Sequence, residues 1–212
     1  MPVFEARLQF LLVALVTLIV VYPLIQGLLV LNVLLTAVLL TAFYAVSRHR
    51  RQRVVALLLG VPWCIVLWVY QWGPDHVALA VVGPALGALF FGYVTQVLLR
   101  HVIRADRVDA DMIYGAIAGY LLLGLVWAML YAVVEALYPG SFGRTATGGD
   151  PRPWSDLLYY SYVTLTTLGY GDVLPLNTRV RSLAVLEAVA GVFYVAVLVA
   201  RLVSLHILHE QT

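Results

Sequence analysis

Few side chains in this 212-residue chain are equipped for covalent or metal chemistry. The single cysteine, Cys64, lies in an apolar run, where it packs as a small residue and makes neither an intrachain disulfide nor a zinc site by itself. The five histidines are scattered: His49 and His101 beside arginines, His76 in a turn, His206 and His209 close to the last residue. Solvated imidazole is their default reading. No Ser-His-Asp, HExxH or paired-acid constellation occurs at usable spacing, which argues against an integral-membrane enzyme. A net charge of +2 without a basic block argues against a nucleic-acid binder. What remains is Thr164-Leu165-Thr166-Thr167-Leu168-Gly169-Tyr170-Gly171-Asp172. Gly169 and Gly171 admit backbone conformations that cost other residues more. Non-helical backbone at membrane depth is tolerated only where protein buries it or where it lines water, so this stretch fits there if one of those holds.

The surroundings of that stretch are those of a membrane. The chain is 63% hydrophobic and 11% charged, against about 25% charged in soluble domains. All 13 basic residues are arginines. A helix needs about 20 apolar residues to cross the hydrocarbon, and residues 8–46 hold nearly twice that with no charge. Pro23, Gln26, Gly27 and Asn32 near the middle split the run into helices over about 8–26 and 28–47 joined by a tight turn. No cleavable signal peptide is expected, because the apolar run is far longer than a signal core. Arg48-His49-Arg50-Arg51-Gln52-Arg53 reads as a cytoplasmic loop. A third helix, about 54–72, ends in Trp68, Tyr70 and Trp72, an interfacial aromatic belt, and Gly73-Pro74-Asp75-His76 makes an outer turn. A fourth helix, about 77–99, precedes a second arginine-rich loop with Arg100, Arg104 and Arg107, and a fifth spans about 112–137. Residues 138–153, rich in Pro and Gly, form an outer loop. Trp154–Leu165 is too short to span, and Ser155 and Asp156 at its start are helix-start residues, so it reads as a re-entrant half-helix. The last helix covers about 180–208. With both termini in the cytoplasm, nine arginines (7, 48, 50, 51, 53, 100, 104, 107, 201) lie inside and four (144, 152, 179, 181) outside, the bias expected of a multi-pass cell (inner) membrane protein with six spanning helices.

Thr-Leu-Gly-Tyr-Gly-Asp, Thr167–Asp172, resembles the selectivity filter of potassium channels, in which rings of main-chain carbonyls stand in for the ion's hydration shell, with Leu168 where valine is usual. Leu158-Tyr159-Tyr160-Ser161-Tyr162 is similar to the pore helix of bacterial members, and Leu183–Gly191 to their inner helix. The resemblance implies K+ as the permeant ion, held by main-chain carbonyls of Thr167, Leu168, Gly169 and Tyr170 and the Thr167 hydroxyl, with Gly171 completing the filter. Thr166, Asp172, Tyr159 or Tyr160, and Glu187 are its expected support. Val163 stands where some members carry a glutamate that pairs with the aspartate. Gly191, twenty residues beyond Gly171, matches a proposed hinge, with helix packing through a small residue as the alternative. One filter per chain implies a homotetramer in the lipid bilayer.

The implied fold is all-α: a four-helix transmembrane region over 1–108 and a pore domain over 109–212. The first part is laid out like a voltage sensor but lacks its arginine series, because Arg100, Arg104 and Arg107 follow the fourth helix and cross little of the field. The segment 100–111 is expected as an interfacial linker. Eleven residues after Arg201 leave no room for an attached ligand-binding domain. Glu187, an acid deep in a spanning segment, is a functional candidate by its cost; it either adds negative potential near the cavity or braces the pore helix by hydrogen bonds. Glu135 is expected to snorkel at the outer interface and Arg201 to anchor at the inner one. A pore-fold protein with a structural or regulatory role, or a weakly selective cation channel, is the alternative function.

Overall fold

The computed structural model describes residues 2–25, 27–47, 49–72, 77–105, 108–144 and 154–210. Seven helices and two short strands follow in order: α1 (Pro2–Ile25), α2 (Leu28–Val46), α3 (Arg50–Trp72), α4 (Val77–Ile103), α5 (Ala110–Leu137), β1 (Phe142–Arg144), α6 (Trp154–Leu165), β2 (Val173–Pro175) and α7 (Thr178–Glu210). Six of these helices, all but α6, are long and apolar enough to cross a membrane. The chain is thus an all-helical, multi-pass membrane protein with one small sheet.

The break between α1 and α2 falls at Gly27, whose carbonyl accepts from Leu31 N at 2.9 Å, while Pro23 stays inside α1. Both arginine-rich loops are shorter than expected. Arg50, Arg51 and Arg53 lie inside α3, and Arg100 lies in the last turn of α4. Arginine is a good helix former and its stem lies along apolar surface, so a spanning helix carries it past the point where the apolar run stops. The expected 100–111 linker therefore shrinks to the few residues between Ile103 and Ala110. Arg48, Arg107, the 73–76 turn and residues 145–153 lie outside the described residues.

The largest core forms where α1 and α4 pack against α5 and α2 packs against α1. Leu8, Leu11, Leu15 and Leu18, spaced three and four apart, put one stripe of α1 fully inside. Trp63 stacks on Phe90 at 6.1 Å and meets Phe91 edge-on at 5.0 Å. Of the first four helices, α1 and α4 pack on the α5 of their own chain, while α2 and α3 pack on α1, α4 and each other. A second cluster, Tyr131, Phe142, Leu157, Tyr160, Val173 and Val180, joins α5, both strands, α6 and α7. By contrast α7 has 11% of its span buried, against 44% for α5. Val185, Val189, Val192 and Phe193 are all about half exposed or more. One long apolar face of α7 is open.

Candidate functional site: the Thr164–Asp172 turn and its brace

The half-helix α6 is a 12-residue helix over the expected Trp154–Leu165. It ends in a Schellman motif. Leu168 N donates to Val163 O at 2.9 Å and Thr167 N to Thr164 O at 2.9 Å, which makes Thr167 the left-handed residue at C′. Glycine is usual there; Thr167 has φ 58° and is the one non-glycine with positive φ among the described residues. For a β-branched side chain this costs on the order of 1–2 kcal/mol. Gly169 (φ 57°) and Gly171 (φ 74°) repeat the left-handed turn, while Leu168 and Tyr170 between them stay at negative φ. Alternating hands at successive residues turns peptide N–H groups to one side and carbonyls to the other, unlike a strand, where carbonyls alternate. Residues 166–172 are all exposed in the single chain, with Leu168 at 55% and Tyr170 at 68%. The result is an exposed main-chain stretch whose φ alternates in sign.

Hydroxyls and small residues dock α6 on its neighbours. Ser161 donates to Gly124 O at 2.7 Å and Tyr162 to Leu121 O at 2.7 Å, both on α5. Gly124 is required, because a Cβ there would overlap the Tyr162 ring. Tyr120 donates back to Leu165 O at 3.2 Å, and Tyr194 of α7 donates to Ala116 O at 2.7 Å. Gly191 of α7 faces the same α6 terminus: a Cβ would run into the Leu165 carbonyl. Helix α7 continues unbroken through that point.

Glu187 is fully buried. Tyr131 of α5 donates to its Oε2 and Ser161 of α6 contacts its Oε1, so one carboxyl group links α5, α6 and α7. Tyr160 does not reach Asp172; it packs edge-on against Tyr131 and Phe142 at 5.1 Å each. Tyr159 is the tyrosine that stands beside Asp172 instead: burial and then the neighbouring carboxylate push its hydroxyl pKa up, and Asp172 Oδ1 accepts from Val173 N at 3.1 Å. Thr166 bonds back to Tyr162 O at 2.6 Å. Val163, in place of an acid, is buried and gives its carbonyl to the turn.

Beyond the turn the chain is pinned by a strand pair absent from the sequence reading. β2 pairs antiparallel with β1, Phe142 opposite Pro175, Gly143 opposite Leu174 and Arg144 opposite Val173. Glu135 does not extend outward: its carboxylate accepts from Gly140 N at 2.8 Å and Ser141 N at 2.9 Å, closing the turn from α5 to β1. At the other end Arg201 Nη2 donates to Ala105 O at 2.6 Å, a specific tie rather than a loose anchor. The brace residues Tyr131, Ser161, Tyr120 and Gly124 were not singled out from the sequence. The one available signal was hydroxyls and glycines recurring inside otherwise apolar helices.

Apolar helices long enough to span flank the short α6 and an exposed turn of alternating φ, the pattern of a membrane protein with a polar backbone element in its interior. Residues 116–206, from within α5 to the end region of α7, match the ion channel family. The chain is 30% identical over 132 residues to Protein LctB of Bacillus caldotenax and 31% identical over 132 residues to Protein LctB of Geobacillus stearothermophilus, each alignment covering 61% of this chain and 95% of the relative. It is 32% identical over 80 residues to the two pore potassium channel c of Oryza sativa subsp. japonica, 38% of this chain and 17% of that protein. No solved structure matches. The chain belongs to the ion channel family: it is a transmembrane ion-transport protein with potassium channels among its relatives, and not an enzyme.

Proposed function

We propose that the chain is one subunit of a homotetrameric, potassium-selective channel whose filter is Thr167–Gly171. The observation that carries this reading is the alternation of positive φ at Thr167, Gly169 and Gly171 with negative φ at Leu168 and Tyr170, a pattern that can turn successive carbonyls to one side. Four such rows around an axis replace the hydration shell of a dehydrated K+ with stacked oxygen rings from Thr167, Leu168, Gly169 and Tyr170, the Thr167 hydroxyl closing the lowest. The exposure of that row and of one α7 face in the single chain is what a subunit with missing neighbours presents. Asp172 with Tyr159, Thr166 on the helix end, and Glu187 with its hydroxyl partners hold the row in shape; Tyr160 acts from the aromatic core behind it. The close fit of Gly191 on the Leu165 carbonyl favours packing over hinging. Both termini face the cytoplasm, and the pore is insensitive to voltage because Arg100 lies at the end of α4 and α4 carries no charge before it.

Purified protein in liposomes tests this. A K+ gradient drives flux, and replacing K+ by Na+ abolishes it. Equal flux with Na+, or none with either ion, overturns the reading.

A further inference from the structure

We propose that a pocket at the arginine-rich end of the first four helices binds the phosphate headgroup of an anionic lipid. The cavity, about 320 Å³, opens between the end of α2, the start of α3 and the end of α4. Its polar wall consists of His49, Gln52, Tyr93, Arg100, His101 and Arg104, and no acidic side chain is among the described residues that line it. Arg100 and Arg104 project from one helix face: Arg104 N still donates to Arg100 O at 3.1 Å, so helical spacing persists between them. Both are exposed, as is His49. Two guanidinium forks on one face suit the oxygens of a phosphodiester, which accept paired N–H donors.

The helix face that carries the arginines shows why the phosphate belongs to a lipid. Tyr93 and Val97, seven and three residues before Arg100 on α4, line the same cavity, are only partly buried and lie within a membrane-spanning helix, whereas Val46 and Leu98 beside them are closed into the core. The cations therefore stand at the membrane boundary with an apolar slope descending from them into the hydrocarbon. A lipid places its phosphate and its acyl chain in that order; a free anion gains nothing from the apolar wall. Charge complementarity is one-sided here, since cationic clusters at the membrane surface attract anionic lipids. None of the pocket residues falls within the 116–206 segment matched to the ion channel family. The site is a property of the added helices and is independent of what ion the filter passes.

The test uses the full chain, purified in nonionic detergent and titrated separately with phosphatidylglycerol, phosphatidylcholine and inorganic phosphate, with bound lipids counted by native mass spectrometry. One phosphatidylglycerol per subunit is expected to bind at least tenfold tighter than phosphatidylcholine. Arg100→Gln with Arg104→Gln weakens phosphatidylglycerol roughly thirtyfold, and Arg104→Gln alone about fivefold, with phosphatidylcholine unchanged. Arg179→Gln, at the other end of the molecule, leaves binding as it was. Equal binding of the two lipids, an unaltered affinity in both arginine variants, or displacement of phosphatidylglycerol by an equal concentration of inorganic phosphate each overturns the proposal.

Discussion

Replacing Glu187 separates its two possible contributions, charge and hydrogen bonding. In Glu187→Gln the amide carbonyl accepts from Tyr131, and the amide NH2 donates to Ser161 Oγ. Ser161 then gives its one proton to Gly124 O, already 2.7 Å away. Every polar atom of the network keeps a partner, so the variant should lie within about 1 kcal/mol of the wild type. Glu187→Ala strands the fully buried Tyr131 hydroxyl, at a cost of about 1–3 kcal/mol. The vacated volume, on the order of 50 Å³ at ~24 cal/mol per Å³, adds about 1 kcal/mol. The sum is about 2–4 kcal/mol. Thermal melting in detergent reads it, and for a chain of this size it corresponds to roughly 4–16 °C. The cycle is completed with Tyr131→Phe. That change should cost less in the Glu187→Ala background than in the wild type, with a coupling of about 1 kcal/mol or more. An alanine variant that melts with the wild type, or a glutamine variant that melts with the alanine variant, refutes the hydrogen-bonded brace.

Other outcomes follow from the same geometry. Thr167→Gly relieves the left-handed strain, partly offset by a more flexible unfolded chain, so melting should rise by no more than about 1 kcal/mol equivalent while K+ over Na+ preference in liposome flux falls. Gly169→Ala meets no neighbouring atom but takes φ 57°. It should cost about 1–2 kcal/mol and abolish K+ preference while cross-linking still captures a tetramer. Gly191→Ala forces α7 away from the Leu165 carbonyl, and should destabilise by about 1–3 kcal/mol in the same melts. A conductance–voltage curve from single-channel recording should be shallow; a steep one would contradict the uncharged α4.

The long apolar helices and the short α6 were legible because length and hydrophobicity are local properties. The half-helix ends were readable from both sides, with Ser155 and Asp156 at its start and the glycine-rich run after Leu165. The two arginine clusters misled at the helix ends, since charge marks the membrane boundary and the helix runs past it. Gly169 and Gly171 announced left-handed backbone, but Thr167 did not, because its conformation is imposed by the helix terminus and contradicts its own preference. The partners of Glu187 were hidden for a different reason. Tyr131 and Ser161 are 56 and 26 residues away, and no periodicity links them. The β1–β2 pair was likewise invisible: three residues each, one strand inside a stretch whose Pro and Gly content reads as loop. Tyr159 and Tyr160 are adjacent and alike, and only the packing of Tyr160 under Phe142 decides which one meets Asp172.

The contacts that seat α6 and α7 on α5 have one property in common. Ser161, Tyr162 and Tyr194 all donate to main-chain carbonyls, at Gly124, Leu121 and Ala116, and Gly119 and Gly124 leave the space those side chains enter. Apart from the hydroxyls of Tyr120 and Tyr131, the supporting helix is asked for thinness at two positions and for little chemical identity at the other seats. Its outward residues are therefore free to drift, and free to acquire a new partner. A segment seated this way is portable in principle, because main-chain carbonyls are supplied by any helix that leaves the same space. The segment that matches the ion channel family begins at residue 116, the first of those carbonyl seats, and the four helices that precede α5 lie outside it.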